Sequence, residues 1–250
     1  PRLSAMADNA QNITYPRRVA IRRVLRFFIR LIFSIIADFK IEGRENIPTN
    51  GPVLVIANHF SFLDPVALIG VLPWTIEFVG GTKLPNAPKY VWWLQRLYGV
   101  LHVNRGGVSR ETLLASRNVL KQGGILGILP EGGSWATVLR PPRPGTSYLA
   151  TTVATPILPV GLDGLTDVFP LKLGRRARVT IRFGKPFGPF YVSDRGETNR
   201  TRLDELGHEM MRQISVLIPP ERRGHYSDDP AIRAAAQGTE IYPWADQTEL

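Results

Sequence analysis

From Gly43 onward the sequence alternates short runs of aliphatic and β-branched residues with longer segments whose apolar residues recur at helical spacing. A chain patterned in this way can bury its apolar faces only by packing helices against a sheet, which restricts the fold to the α/β class. Val53–Ala57 and Ile125–Leu129 are apolar runs that read as buried strands, and Ile76–Val79, Val100–Asn104 and Ile157–Val160 read as further strands. Between them, Pro65–Leu72, Pro88–Tyr98, Ser109–Lys121 and Gly145–Ala154 read as helices. Asp64-Pro65 suits a helix start, because Asp caps and Pro fits the first turn. Ala177–Phe183 alternates along one face, as a strand near the end of the sheet does, and Leu203–Ile218 closes the domain as a helix. The expected fold is a mixed β-sheet flanked by helices.

Residues 17–40 stand apart from this alternation. Arg18, Arg22, Arg26 and Arg30 recur every four residues and share one side of a helix, while Val24, Leu25, Phe28, Leu31, Ile32, Ile35 and Ile36 fill the other. The apolar stretches are shorter than the roughly 20 residues that span a bilayer. Two arrangements satisfy the pattern: a helix packed on the protein's own core, or a membrane-surface helix whose arginines meet anionic head groups while its apolar side enters the leaflet. Trp74, Tyr90, Trp92, Trp93, Tyr98 and Trp135 are suited to core packing or to the bilayer interface. The organisation expected is a flexible N-terminus over 1–16, the amphipathic helix over 17–40, one domain over 41–218 and a wrapping tail over 219–250. With 44% hydrophobic residues in 250, the chain can bury one sizeable core.

Charge and composition narrow the chemistry. The net charge of +10 suits an anionic partner. The absence of cysteine excludes disulfides, thiolate nucleophiles and cysteine-based metal sites, and four histidines make a multi-histidine metal centre unexpected. No pattern of a nucleic-acid-binding module is visible, so no nucleic-acid partner is expected. His59 follows the Val53–Ala57 strand, and Asp64 lies five residues on at the next helix start. A turn that folds back would set the Asp against one imidazole nitrogen and leave the other to take a proton from an alcohol. The chain lacks a G-x-S-x-G elbow, so an attacking acceptor hydroxyl fits better than a serine nucleophile. Spacing alone is equally compatible with an ordinary loop histidine beside a helix cap.

Four segments in order add to this reading. Asn58-His-Phe-Ser-Phe-Leu-Asp64, an HX4D motif, Gly99-Val-Leu-His-Val-Asn-Arg105, Leu129-Pro-Glu-Gly-Gly-Ser134 and Pro156-Ile-Leu-Pro-Val160 resemble the blocks of the glycerolipid acyltransferase family typified by 1-acylglycerol-3-phosphate acyltransferase. The resemblance covers Gly43 to about Pro186. It implies His59 as general base oriented by Asp64, with Arg105, Glu131, Gly132 and Lys83 binding the acceptor. It also implies a lysophospholipid acceptor, most simply 1-acylglycerol-3-phosphate, giving phosphatidic acid. Acyl-CoA or acyl-carrier protein would be a consumed donor, no metal or bound cofactor would be required, and the enzyme would sit peripherally on the cytoplasmic face of a membrane. One departure stands out. The family's third block usually continues Glu-Gly-Thr-Arg, whereas here it reads Glu131-Gly132-Gly133-Ser134. Either Arg140 or Arg143 reaches back, or the acceptor is another lysophospholipid, a glycolipid or a different lipid alcohol.

Overall fold

The computed structural model describes residues 13–81, 88–103, 110–171, 174–191, 197–241 and 243. In chain order the main elements are α1 (Val19–Ile36), β1 (Ala37–Glu42), β2 (Val53–Ala57), α2 (Asp64–Val71), β3 (Ile76–Gly81), α3 (Lys89–Tyr98) and β4 (Leu101–Val103). They continue with α4 (Arg110–Lys121), β5 (Ile125–Ile128), α5 (Gly145–Thr152), β6 (Ile157–Asp163), β7 (Ala177–Phe183), α6 (Glu197–Ser215) and α7 (Pro230–Ala236). The strands form one sheet in the order β1-β7-β6-β2-β5-β3-β4. All neighbours run parallel except β6 and β7. The sheet is therefore mixed, and the strand-helix alternation of the sequence carries through.

Two apolar layers cover the sheet. On one face Ile29 and Phe33 of α1 and Ala67, Leu68 and Ile69 of α2 pack over Val53, Val55, Val160 and Val179. On the other, α4, α5 and α6 bring Val119, Leu149, Met210 and Ile214 onto Leu54, Ile56, Leu126 and Ile157. The central strand β2 lies between β5 and β6. From β2 the chain passes outward to β3 and β4, returns to β5, then crosses to β6. The carboxyl end of β2 therefore lies where the strand order reverses, the place at which open α/β sheets leave a crevice for ligands.

The N-terminal region departs from expectation in three respects. The helix stops at Ile36, and Ala37–Glu42 is an edge strand in register with Ala177–Arg182, so the sheet begins before residue 41. Asp38-Phe39-Lys40-Ile41 has the period of a strand, which the four-residue spacing of the preceding arginines obscures. Tyr15, within the segment expected to be flexible, is docked, its hydroxyl donating to the Thr75 carbonyl at 2.6 Å.

The third departure concerns the arginine row, which faces inward. Arg22 pairs bidentately with Glu77 of β3, at 2.5 and 2.7 Å, and donates to the Tyr98 carbonyl. Arg17 joins the same carboxylate. Arg18 donates to the carbonyls of Arg96 and Leu97, Arg26 to those of Pro73 and Trp74, and Arg30 to that of Gly70. Several of these carbonyls lie in the last turns of α2 and α3, where intrahelical partners are lacking and the helix dipole favours cations. A fully buried Glu77 and orphan carbonyls demand donors more strongly than solvent demands exposed arginines. The apolar side of α1 is consequently left outside, with Phe27 at 63% and Ile35 at 66% exposure.

Candidate active site

His59 and Asp64 meet at the carboxyl end of β2. His59 Nδ1 lies 2.9 Å from Asp64 Oδ2. The same oxygen accepts the backbone N–H groups of Phe60, at 2.7 Å, and Ser61, at 2.8 Å. Asp64 is the first residue of α2 and leaves that helix uncapped; its carboxylate caps the preceding turn instead. Burial pushes the Asp64 carboxyl up, opposed by the His59 bond and by the two backbone donors. An ionised Asp64 holds the proton on Nδ1, so Nε2 presents its lone pair. Nε2 has no protein partner among the described residues.

Asn58 anchors this turn to the sheet. Its side chain donates to the Leu162 carbonyl and accepts from the Leu162 N–H, both at 2.8 Å, a two-point bridge from the end of β2 to β6. On the other flank, the register explains a contact that sequence spacing could not. Ile56 pairs with Ile128, so His59 and Glu131 each lie three residues beyond a matched pair of parallel strands. Glu131 Oε1 accepts the His59 N–H at 2.6 Å.

Glu131 binds no solvent-facing group. It is 1% exposed, and its other oxygen accepts the Arg140 Nε at 2.9 Å and the Arg140 N–H at 3.2 Å. Arg140 also donates through Nη2 to the carbonyls of His59 and Gly133. Arg140 thus reaches back to the third block and is committed to holding the turn, while Arg143 packs against Gly132 and donates to the Glu240 carbonyl at 3.5 Å. Burial lifts the Glu131 carboxyl to about 7 against the pull of Arg140 and the backbone donors. Arg140 Nη1 is buried without a partner among the described residues.

The departure at Gly133-Ser134 now has a physical account. The Arg140 guanidinium stacks 3.9 Å from the centre of the Trp135 ring, and that ring lies so close to Gly133 that any Cβ there would clash with it. A threonine at Gly133 would displace the ring that carries Arg140. Gly132 adopts φ 79°, a left-handed turn that glycine accommodates, and its N–H returns to the Leu129 carbonyl. The C-terminal segment closes the loop from outside. Leu139 exchanges backbone bonds with Arg222 and His225, and Trp135 Nε1 donates to the Thr239 carbonyl at 2.7 Å. Arg222, His225 and Thr239 of that segment thus pack against the third-block loop.

The structure therefore brings His59, Asp64, Glu131 and Gly132 together, while Arg105 and Lys83 lie outside the described residues. Asn58 and Arg140 complete the unit. Asn58 carried a usable signal, being an amide at the exit of a wholly apolar strand, where only another backbone can satisfy it.

The carboxyl end of β2, at the strand-order reversal, thus carries an imidazole oriented by a buried carboxylate. The chain belongs to the acyltransferase family, whose model matches residues 38–163, and it is an O-acyltransferase. It is 21% identical over 159 residues to the 1-acyl-sn-glycerol-3-phosphate acyltransferase of Bacillus subtilis, covering 63% of this chain and 78% of that one. A probable 1-acyl-sn-glycerol-3-phosphate acyltransferase of Mycoplasma pneumoniae is 26% identical over 230 residues, with 84% and 82% covered. The crystal structure of the 1-acyl-sn-glycerophosphate acyltransferase PlsC from Thermotoga maritima superposes with a TM-score of 0.53 at 22% identity, covering 83% and 87% of the two chains. This likeness establishes the shared fold.

Proposed function

We propose that the protein acylates the free hydroxyl of 1-acylglycerol-3-phosphate, giving phosphatidic acid from a fatty acyl thioester. His59 Nε2 takes the proton of the acceptor hydroxyl as its oxygen attacks the thioester carbonyl. Asp64 stabilises the imidazolium that results. Collapse of the tetrahedral intermediate breaks the carbon-sulfur bond, and the leaving thiolate takes up the proton from His59. The observation that carries this reading is the Nδ1 to Oδ2 contact of 2.9 Å with Nε2 unpartnered among the described residues. The relatives' names support the acceptor. The family resemblance gives Arg105 the acceptor phosphate, for which a planar guanidinium is suited.

The exposed apolar side of α1 supports docking on a membrane. Val24, Phe27, Phe28, Leu31, Ile32 and Ile35 lie outward on one helix, and Trp92 and Trp93 of α3 are exposed near its start. No helix among the described residues is long and apolar enough to cross a bilayer, so the arrangement fits a peripheral helix. One observation favours a second reading of the acceptor. With Arg140 committed to Glu131, the arginine left beside the third block among the described residues is Arg143, which packs against Gly132 and donates to the Glu240 carbonyl at 3.5 Å, and this suits a lysophospholipid or glycolipid bound partly through other groups. Incubation with a labelled acyl thioester and a panel of lyso-lipids, followed by mass spectrometry, separates the two. Loss of product in a folded His59→Ala variant is expected, and retained transfer refutes the mechanism.

A further inference from the structure

A basic pocket lies at the same end of the sheet as His59, beside the edge strands. Arg175, Arg176 and Arg178 line a cleft of about 670 Å³ together with Asp167 and Ala177. Arg176 donates to the Ala37 carbonyl at 2.6 Å, whereas the side chains of Arg175 and Arg178 have no hydrogen-bond or ion-pair partner among the described residues. Asp167, Asp38 (paired in register with Arg178) and Asp163 (paired with Thr180) are the nearby carboxylates, and of these Asp167 alone is among the lining residues beside the three arginines. Exposed, unpaired guanidiniums around a concavity are what a phosphate group requires.

We propose that this pocket receives the phosphates of coenzyme A, so that the donor is acyl-CoA; the inference rests on the acyl-transfer reading above. The register fixes the separation. Ile56 pairs with Pro159 and Leu162 with Ile181, so the His59 turn is level with Ile181, two strands away. Because β7 runs antiparallel, Arg178 projects three residues further beyond that level. Three residues along and two strands across place it ~14 Å from the His59 turn. The pantetheine arm between thioester sulfur and pyrophosphate has about thirteen bonds, a reach of ~15 Å when extended like backbone. A single loop joins the two places: Phe169 packs edge-on against Phe62 of the catalytic turn, with ring centres 5.6 Å apart, and Asp167 of the same loop lines the pocket.

The orientation selects among phosphate sources. On β7, Ala177, Val179 and Ile181 pack in the layer under α1, and strand alternation turns Arg178 to the opposite face. The Arg178 side chain thus points away from the apolar stripe of α1, toward water, where a soluble donor arrives. A concave site suits a nucleotide better than the convex surface of a carrier protein.

The test compares wild type with an Arg175→Gln/Arg178→Gln variant, both exposed changes, using acyl-CoA, acyl-carrier protein and the truncated thioester acyl-pantetheine with one lyso-lipid acceptor. The variant is expected to raise the KM for acyl-CoA ~10-fold at unchanged kcat while using acyl-pantetheine as wild type does. An unchanged KM for acyl-CoA overturns the pocket, as does an equal loss with acyl-pantetheine. Transfer from acyl-carrier protein but not acyl-CoA overturns it in favour of the protein donor, and weakened binding to anionic vesicles at unchanged donor KM overturns it in favour of a lipid. Failure of wild type to transfer from any of the three thioesters refutes the acyl-transfer reading itself.

Discussion

Arg140→Met removes a guanidinium while keeping most of the volume that packs on Trp135. In the native protein that group satisfies one oxygen of Glu131 and the carbonyls of His59 and Gly133. Removing one partner of a buried ion pair costs about 3–5 kcal/mol, because the remaining charge has neither water nor counter-ion. Here protonation limits the loss. Glu131 stands at about 7 with Arg140 present, and loss of the arginine lifts it further, so at pH 7 it takes up a proton instead of remaining a bare anion. The expected loss at pH 7 is therefore at the lower end, ~3 kcal/mol, or a fall in Tm of about 10 °C for a domain of this size. The unfolded chain keeps Glu131 ionised above pH 5, so the folded variant binds the extra proton and its deficit grows with pH, by up to ~1.4 kcal/mol per unit above 7. Urea unfolding at pH 6, 7 and 8 measures this directly. A second change, Glu131→Gln, removes the stranded carboxyl, and the double variant is expected to be more stable than the sum of the single losses by ~1–2 kcal/mol. A single-variant loss below about 1 kcal/mol, additive double-variant energies or a deficit flat with pH would refute the reasoning.

Other substitutions probe the remaining structure. Relative to Glu131→Gln, wild type is expected to lose stability as pH rises from the unfolded value of 4.5 to about 7 and to hold steady above, since a raised carboxyl binds its proton more tightly when folded; parallel denaturation curves give the slope. Arg22→Ala strands the fully buried Glu77, leaving it only Arg17, and should cost about 3–5 kcal/mol in chemical denaturation. Leu31→Glu, on the outward side of the same helix, should leave Tm within about 2 °C of wild type while lowering binding in vesicle co-sedimentation. Asn58→Ala removes two buried hydrogen bonds to Leu162 and should cost about 2 kcal/mol, with kcat falling because the turn loses its tie to β6; an unchanged kcat in the folded variant would count against that role.

The buried strands and the His59-Asp64 pair were legible in the sequence because each depends on neighbours a few residues apart. Val53–Ala57 has no polar residue, and five residues suffice for a turn that folds an Asp back on a His. What escaped was set by register or by distant partners. The contact between Glu131 and the His59 N–H follows only once Ile56 is known to face Ile128. The inward turn of the arginine row depends on Glu77, 55 residues from Arg22. A signal for it existed, since a glutamate between Ile76 and Phe78 in a buried strand demands a cation. Period alone ranked Arg18, Arg22, Arg26 and Arg30 as a surface face because it records which residues share a side, not which side is buried.

These bonds also constrain the chemistry at the crevice. The N–H of His59 is held by Glu131, those of Phe60 and Ser61 by Asp64, and that of Gly132 by the Leu129 carbonyl. The groups nearest the imidazole are thus already used to fix it, and the oxyanion of the tetrahedral intermediate requires a donor from elsewhere in the crevice. In the proposed mechanism the turn is accordingly a mount for His59, contributing to the rate through the geometry of the base. Substitutions that loosen the mount, at Asn58 or Arg140, should lower kcat with little change in the affinity for either substrate, since neither side chain reaches an open surface.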